Sequence, residues 1–370
     1  MKIGFNATCI NSRPSGARQR FVGLYGELMA RLPDAEFLVY DPTDFPVSAQ
    51  FAGAANVAGR RTPIPSMGRA RKLLAGLRYW PAELTRERPD IYEVFSLPVV
   101  TSPTGLTVVT VHDIRGLQPA SGLTERAVYK VYLARSLCRA DHIITVSEAM
   151  KRELTGLCPG IPVSVIHNGI DPHSYRAVTD AELALVRDRY RLPREFVLAV
   201  GHFEARKNYL RLIDAMALLR DRGRVCPLVI VGNDSGLRRQ VSARARSRGL
   251  GNDVILLGGL TDQEVRCIYR LCHLFVFPSA YEGFGIPALE SMAAGKPMAL
   301  SDIPPFREIT QDTGVYFPHD NVELMANAIE NVLDSNSERD RQVAYGNQRV
   351  QAFSFHSLGA QLEGLYRSLL

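Results

Sequence analysis

Two glutamates stand eight positions apart around a glycine-rich turn, Glu282-Gly283-Phe284-Gly285-Ile286-Pro287-Ala288-Leu289-Glu290. An apolar run, Leu274-Phe275-Val276-Phe277-Pro278, leads into the turn, and a helical stretch ending near Gly295 leaves it. Strand, glycine turn and helix in that order aim backbone N–H groups and a positive helix end at an anionic ligand. Carboxylates repel an anion, so Glu282 and Glu290 must serve another part of the ligand. Hydroxyls of a sugar or a ribose donate hydrogen bonds to carboxylates and meet that need.

A second group of residues suits the anion itself. Gly201-His202-Phe203-Glu204-Ala205-Arg206-Lys207-Asn208 lies between an apolar run and a helical stretch. Arg206 offers a planar fork and Lys207 a point charge, a pair that fits a pyrophosphate. Such charge-assisted bonds contribute about 1.5–3 kcal/mol each. A basic first turn lying on the surface is the plainer alternative, although cations there oppose the helix dipole. Farther upstream, Thr107–His112 is a strand-like run that ends in His112-Asp113. In an open parallel sheet that end is where ligands gather. Asp113 either orients the imidazole or binds substrate, or it caps the next turn. Near the amino terminus, Ser12-Arg13-Pro14-Ser15-Gly16-Ala17 is a loop in which Gly16 lets backbone approach a ligand.

These residues need strand ends to hold them. Short β-branched runs alternate with amphipathic stretches along the chain: Lys2–Ala7, Phe37–Tyr40, Ile91–Phe95, Thr107–His112, His142–Ser147, Val163–His167, Phe196–Gly201, Leu228–Gly232, Val254–Gly258, Leu274–Pro278 and Pro297–Ser301. Alternation of this kind predicts parallel sheets with helices on both faces. So many strands divide naturally into two sheets, with the seam at His167–His173, where Asn, Gly and Pro break structure. The expected organisation is a first domain over residues 1–172 and a second over 173–352. The apolar helical segment 353–370 packs back on the first.

At 370 residues, 46% hydrophobic and 22% charged, the chain is an ordinary globular protein with room for two cores. No stretch approaches the ~20 apolar residues of a membrane span, and the start lacks the apolar core of a signal peptide. Six scattered cysteines without a C-x-x-C pair predict reduced thiols and a cytoplasmic location. The net charge of +6 is uneven. Segment 60–80 mixes Arg69, Arg71, Lys72 and Arg78 with Leu73, Leu74, Leu77, Tyr79 and the only tryptophan. A segment like that lies on an anionic membrane surface, peripheral at the inner membrane face, or packs its leucines inward with the arginines solvated. The interleaved aromatics of a nucleic-acid platform are missing, so no nucleic-acid partner is expected.

Several segments taken together resemble glycosyltransferase family 4. They are Val111–Ile114, Ala140–Ala149, Val165–Asp171, Val200–Asn208, Leu256–Leu260 and Pro278–Gly295. They occur in the family's order over most of the chain. The likeness is greatest to bacterial enzymes of O-antigen and exopolysaccharide assembly that use GDP-mannose. The resemblance implies an α/β GT-B fold, two Rossmann-like doubly wound parallel-sheet domains facing across a cleft, and retaining transfer. It implies that Arg206 and Lys207 hold the pyrophosphate and stabilise the leaving nucleoside diphosphate. Glu290 would bind the ribose hydroxyls. Glu282 and backbone N–H groups of Phe284, Gly285 and Ile286 would hold the donor hexose. His112 would contact the sugar, with Asp113 and Gly16 at the donor, and Gly258, Gly259 and Leu260 would lie near the base. Two departures stand out. His202 follows Gly201 where many members have Arg, and Ser15-Gly16 replaces the common paired glycines.

No Asp-x-Asp occurs, so no metal and no cofactor is expected beside the nucleotide-sugar co-substrate, GDP-mannose by the resemblance. The acceptor is a glycan or a polyprenyl-linked saccharide. Rival readings are a UDP-sugar donor, a GT-B epimerase or phosphorylase, and a silent nucleotide-sugar-binding subunit. An NAD(P)-dependent oxidoreductase is the remaining one, since Gly283-x-Gly285-x-x-Ala288 with Asp302 matches part of the dinucleotide fingerprint. Against that last reading, four residues separate Pro278 from Gly283, and Glu282 would face the pyrophosphate.

Overall fold

A computed structural model describes residues 1–12, 15–117, 123–311 and 313–370, without the side chains of Arg69, Ala70 and Leu123. Arg13 and Pro14 of the loop before Gly16 therefore lie outside the described residues. The chain forms two compact units, residues 1–169 with 355–370, and residues 170–354.

In the first unit seven strands run parallel: β1 (Lys2–Asn6), β2 (Glu36–Asp41), β3 (Val57–Arg61), β4 (Ile91–Val94), β5 (Leu106–Val111), β6 (His142–Thr145) and β7 (Val163–Val165). Their order is β3-β2-β1-β4-β5-β6-β7. The chain builds leftward from β1 and then rightward from β4, so the winding reverses between β1 and β4. Interior strands are apolar on both faces because helices cover both. Ile3, Phe5, Phe37 and Val39 pack with Phe21, Tyr25 and the carboxyl-terminal helix residues Leu358, Leu362 and Tyr366. On the opposite face Leu38, Tyr40, Tyr92 and Val94 pack with Trp80 and Leu84 of the Arg69–Glu87 helix.

In the second unit six parallel strands are β8 (Val197–Val200), β9 (Leu228–Val231), β10 (Val254–Leu257), β11 (Leu274–Phe277), β12 (Met298–Ser301) and β13 (Val315–Phe317). Their order is β10-β9-β8-β11-β12-β13, so the winding reverses between β8 and β11. Every strand expected from the apolar runs is present. Two further ones, β3 and β13, take the edge of each sheet. Val57-Ala-Gly-Arg-Arg61 is interrupted by glycine and two arginines, and Val315-Tyr-Phe317 is 3 residues long, so neither shows the longer apolar run of an interior strand.

The helix Arg69–Glu87 tests the inward-packing reading of segment 60–80. Trp80 is buried against Tyr40 and Tyr92, its ring beside Gly76, while Leu73, Leu74 and Leu77 face solvent. The leucines do not pack inward. Among the described residues no helix is long and apolar enough to cross a membrane.

Candidate active site at a strand switch point

The loops after β8 and β11 meet at the switch point of the second sheet. Ala280 N–H donates to the carbonyl of Arg206 at 2.8 Å, and Asn208 Nδ2 donates to the carbonyl of Pro278 at 3.1 Å. Asn208 takes a left-handed conformation (φ 60°) that separates the turn Ala205–Lys207 from the helix Tyr209–Asp221. Arg206 and Lys207 thereby project from the loop ahead of the helix instead of crowding its N-terminus.

There the structure brings together three of the residues singled out by sequence. Glu282 accepts from Arg206 Nη1 at 2.5 Å, Lys207 Nζ at 2.7 Å and Ser279 Oγ at 2.7 Å. Arg206 Nη2 also reaches Glu204 at 2.9 Å. Lys207 is 5% exposed and its ammonium lies 4.8 Å from the centre of the Phe277 ring. Burial pushes the Lys207 pKa down despite the Glu282 charge. Burial alone would raise the Glu282 carboxyl; Lys207 and Arg206 overcome it and hold the pKa below the ordinary value. Two cations face two carboxylates, so the group is neutral as a whole. Lys207 and Ser279 both donate to Glu282 Oε1, so the free lone pair for a hydroxyl donor is on Oε2, which accepts from Arg206 alone.

Glycines at adjacent strand ends give this edge its shape. A Cβ on Gly201, just past β8, would stand 2.7 Å from Lys207 Cε. One on Gly232, past β9, would stand 1.9 Å from the Gly201 carbonyl oxygen. One on Gly258, past β10, would stand 2.9 Å from the Gly232 carbonyl oxygen and from Arg238. Gly258, Gly259 and Leu260 form the loop leaving β10, where Gly259 N–H donates to Asn233 Oδ1 at 3.1 Å. Gly285 (φ 133°) opens the helix Ile286–Ala293, and Phe284 is buried against Phe353. The Phe284 side chain is therefore part of the core.

Glu290 lies one turn into that helix. Its two oxygens accept from Tyr175 at 2.9 Å and Tyr269 at 2.8 Å. Burial raises the Glu290 pKa, and the two hydroxyls oppose that shift. Tyr175, Tyr269, Ser279 and Glu204 were not singled out by sequence reasoning. The tyrosines have no local signal, since Tyr175 is 115 residues away from its partner.

In the first unit, His112 follows β5. Burial, aided by the nearby Arg20 charge, pushes its pKa down to about 3, so the ring is neutral at physiological pH. Asp113 turns to the next residues, accepting from Arg115 N–H at 3.3 Å, and makes no hydrogen bond to His112 among the described residues. Gly16 is the first residue of the helix Gly16–Arg20, capped by Ser15 Oγ accepting from Arg18 N–H at 3.2 Å. Arg20, also missed by sequence, is 1% exposed and donates to the carbonyls of Ile166 at 2.8 Å and His167 at 2.6 Å.

This geometry meets a sequence finding. Residues 15–174 match the family model "Glycosyltransferase Family 4", and residues 187–349 match "Glycosyl transferases group 1". The chain belongs to glycosyltransferase family 4. It is 34% identical over 197 residues to an alpha-D-kanosaminyltransferase of Streptomyces kanamyceticus, covering 52% of this chain and 51% of that relative. The chain thus spans about half the length of that relative. It is 29% identical over 267 residues to the O-antigen chain mannosyltransferase B of Escherichia coli, covering 71% and 70%. Its fold is similar to that of a sucrose-phosphate synthase from Thermosynechococcus elongatus, with a TM-score of 0.80 at 20% identity over 100% of this chain and 98% of the other. The two doubly wound parallel sheets of this glycosyltransferase are those of the GT-B class.

Proposed function

We propose that the protein is a retaining hexosyltransferase moving mannose from GDP-mannose, or a related GDP-deoxyhexose such as rhamnose, to a lipid-linked or oligosaccharide acceptor of a bacterial surface polysaccharide. Supporting this reading is the placement of Arg206, Lys207 and Glu282 at the switch point of the second sheet, where ligands of open α/β sheets bind. The name of the mannosyltransferase relative supports the sugar.

In the proposed reaction the bond from the sugar C1 to the β-phosphate oxygen breaks, and its electron pair leaves with GDP. The acceptor hydroxyl oxygen bonds to C1 on the same face. Its proton passes to the departing phosphate. Arg206 and Lys207 stabilise the charge that grows on that phosphate, a job done without a protein-held metal. Glu290, aligned by Tyr175 and Tyr269, accepts from the ribose hydroxyls. Glu282 accepts from a hexose hydroxyl while keeping the two cations in place. His112, neutral, supplies a hydrogen bond without charge. The enzyme would work from the cytoplasmic side of the membrane on which the acceptor lipid resides.

A panel of GDP- and UDP-sugars in EDTA, with a lipid-linked acceptor and anomeric assignment of the product by NMR, tests the reading. Transfer from GDP-mannose with the anomeric configuration kept is expected. Transfer from a UDP-sugar alone would move the assignment to the same reaction with a different donor. Inverted product, or an isomerised sugar nucleotide without transfer, would overturn it.

A further inference from the structure

The helices Arg69–Glu87 and Leu123–Leu137 of the first unit each bridge two parallel strands in the same direction across the sheet, β3 to β4 and β5 to β6. Right-handed crossovers in one direction place both helices on the same face. That face carries an unusual surface. Leu73, Leu74 and Leu77 are 47%, 68% and 63% exposed on one helix; Val128, Val131 and Tyr132 are 70%, 52% and 43% exposed on the other. Met67 just before the first helix adds another, 56% exposed. In this unit, only Met1 and Leu370 at the chain ends are the other exposed large apolar side chains among the described residues.

The spacing on the second helix is a stripe. Val128, Val131, Tyr132 and Arg135 recur at three- and four-residue steps, so they share one side, and all four are exposed. This helix was not read from sequence as a surface of any kind. On the first helix Leu74, Leu77 and Arg78 stand together over an open groove of about 1080 Å³, whose lining includes Pro63, Tyr79 and Arg86.

The charges around these patches are mostly positive. Arg71, Arg78, Lys130 and Arg135 are exposed and make no ion pair among the described residues. Acids on the first helix are already engaged: Glu83 with Arg86, and Glu87 with Lys2 and Arg86. Glu125 is the exposed acid of the second helix. Leucines and a tyrosine ringed by unpaired cations fit an anionic bilayer, whose headgroups meet the cations while its acyl boundary takes the apolar side chains. A soluble partner or a second copy would need acids to match, and this face offers cations to itself.

We propose that this face of the first unit, made by the two helices together, docks on an anionic phospholipid bilayer. The docking would hold the enzyme beside a lipid-linked acceptor, and only that purpose rests on the function proposed above. Flotation of the purified protein with phosphatidylcholine vesicles, with and without phosphatidylglycerol, needs neither donor nor acceptor. Failure of docking and failure of the transfer reading are therefore separate results.

Retention on the anionic vesicles at low salt is expected, with loss at high salt. Val128→Ser with Tyr132→Ser should weaken partitioning tenfold or more, as should Leu74→Ser with Leu77→Ser. Each neutralised cation, as in Arg78→Gln or Lys130→Gln, should weaken it about fivefold. Unchanged thermal unfolding and GDP affinity confirm that the variants fold. Equal retention of wild type and all variants would overturn the proposal. So would retention sensitive to the first helix but not the second, which would make the second helix a bystander. Sedimentation showing a dimer that these substitutions break would overturn it in favour of a second copy.

Discussion

At the scale of single residues, the site is a set of buried charges that balance one another before any ligand arrives. Glu282 neutralises Lys207 and Arg206, and removing it leaves two cations with Glu204 alone. Glu282→Gln should therefore lower stability by about 3 kcal/mol. GDP should raise the melting temperature of this variant more than that of wild type, because its phosphates replace the missing negative charge. An equal or smaller rise would mean that the phosphates do not sit at these cations. Glu290 gives a pH test. Its raised pKa means that lowering the pH protonates it sooner than an ordinary glutamate, so donor KM should climb as pH falls toward the carboxylate range. Tyr269→Phe removes a bond that favours the charged form and should move that climb to higher pH, by a loss of about 1.5–3 kcal/mol of carboxylate stabilisation. Superimposable KM–pH profiles would remove Glu290 from donor binding. Arg206, Lys207, Glu282 and Glu290 were legible because charge on glycine-rich strand-to-helix turns has few structural uses. Tyr175, Tyr269 and Arg20 were not, since each looks like an ordinary core or surface residue until the fold brings its partner near.

Among the elements, the carboxyl ends of β8, β9 and β10 show how backbone shape prepares the site. The Cβ positions at Gly201, Gly232 and Gly258 each meet a neighbour closer than a real side chain tolerates. Gly232→Ala sets its methyl against a backbone oxygen that cannot swing away, and should cost about 3 kcal/mol, read as a lower melting temperature. Gly201→Ala displaces the flexible end of Lys207 and puts an L residue at φ 147°, so it should weaken GDP binding and lower the melting temperature as well. A variant at Gly201 that binds GDP normally would separate this glycine from the phosphate site. Eleven strands were readable because each lies in a short β-branched or apolar run that alternates with amphipathic stretches. Strands β3 and β13 were not, as Gly59, Arg60 and Arg61 interrupt the first and the second is only 3 residues long. For the Arg69–Glu87 helix, periodicity showed amphipathicity but not which stripe turns inward. The decision came from Trp80 finding its seat between Tyr40, Tyr92 and Gly76.

For the whole molecule, the chain crosses from one unit to the other and returns. Its last helix, Phe355–Ser368, covers the first sheet, with Phe355 seated against Gly23 and Gly169. Tyr366 of that helix donates to the buried carboxyl of Glu93, which also accepts from Tyr25 at 2.5 Å and from Thr110. Deleting residues 355–370 removes Leu358, Leu362 and Tyr366 from this core and should unfold the first unit while the second keeps a GDP-dependent thermal transition. Loss of both transitions would show that the units do not fold separately. The central claim is that the Arg206–Lys207–Glu282 group of the second unit receives the diphosphate of a sugar nucleotide. Calorimetric titration of the full chain in EDTA with GDP, and with guanosine as the phosphate-free control, tests it most directly. GDP should bind far more tightly than guanosine, and Arg206→Ala should cut the GDP affinity by at least tenfold while leaving guanosine unchanged. Equal GDP affinity in wild type and Arg206→Ala would contradict the claim.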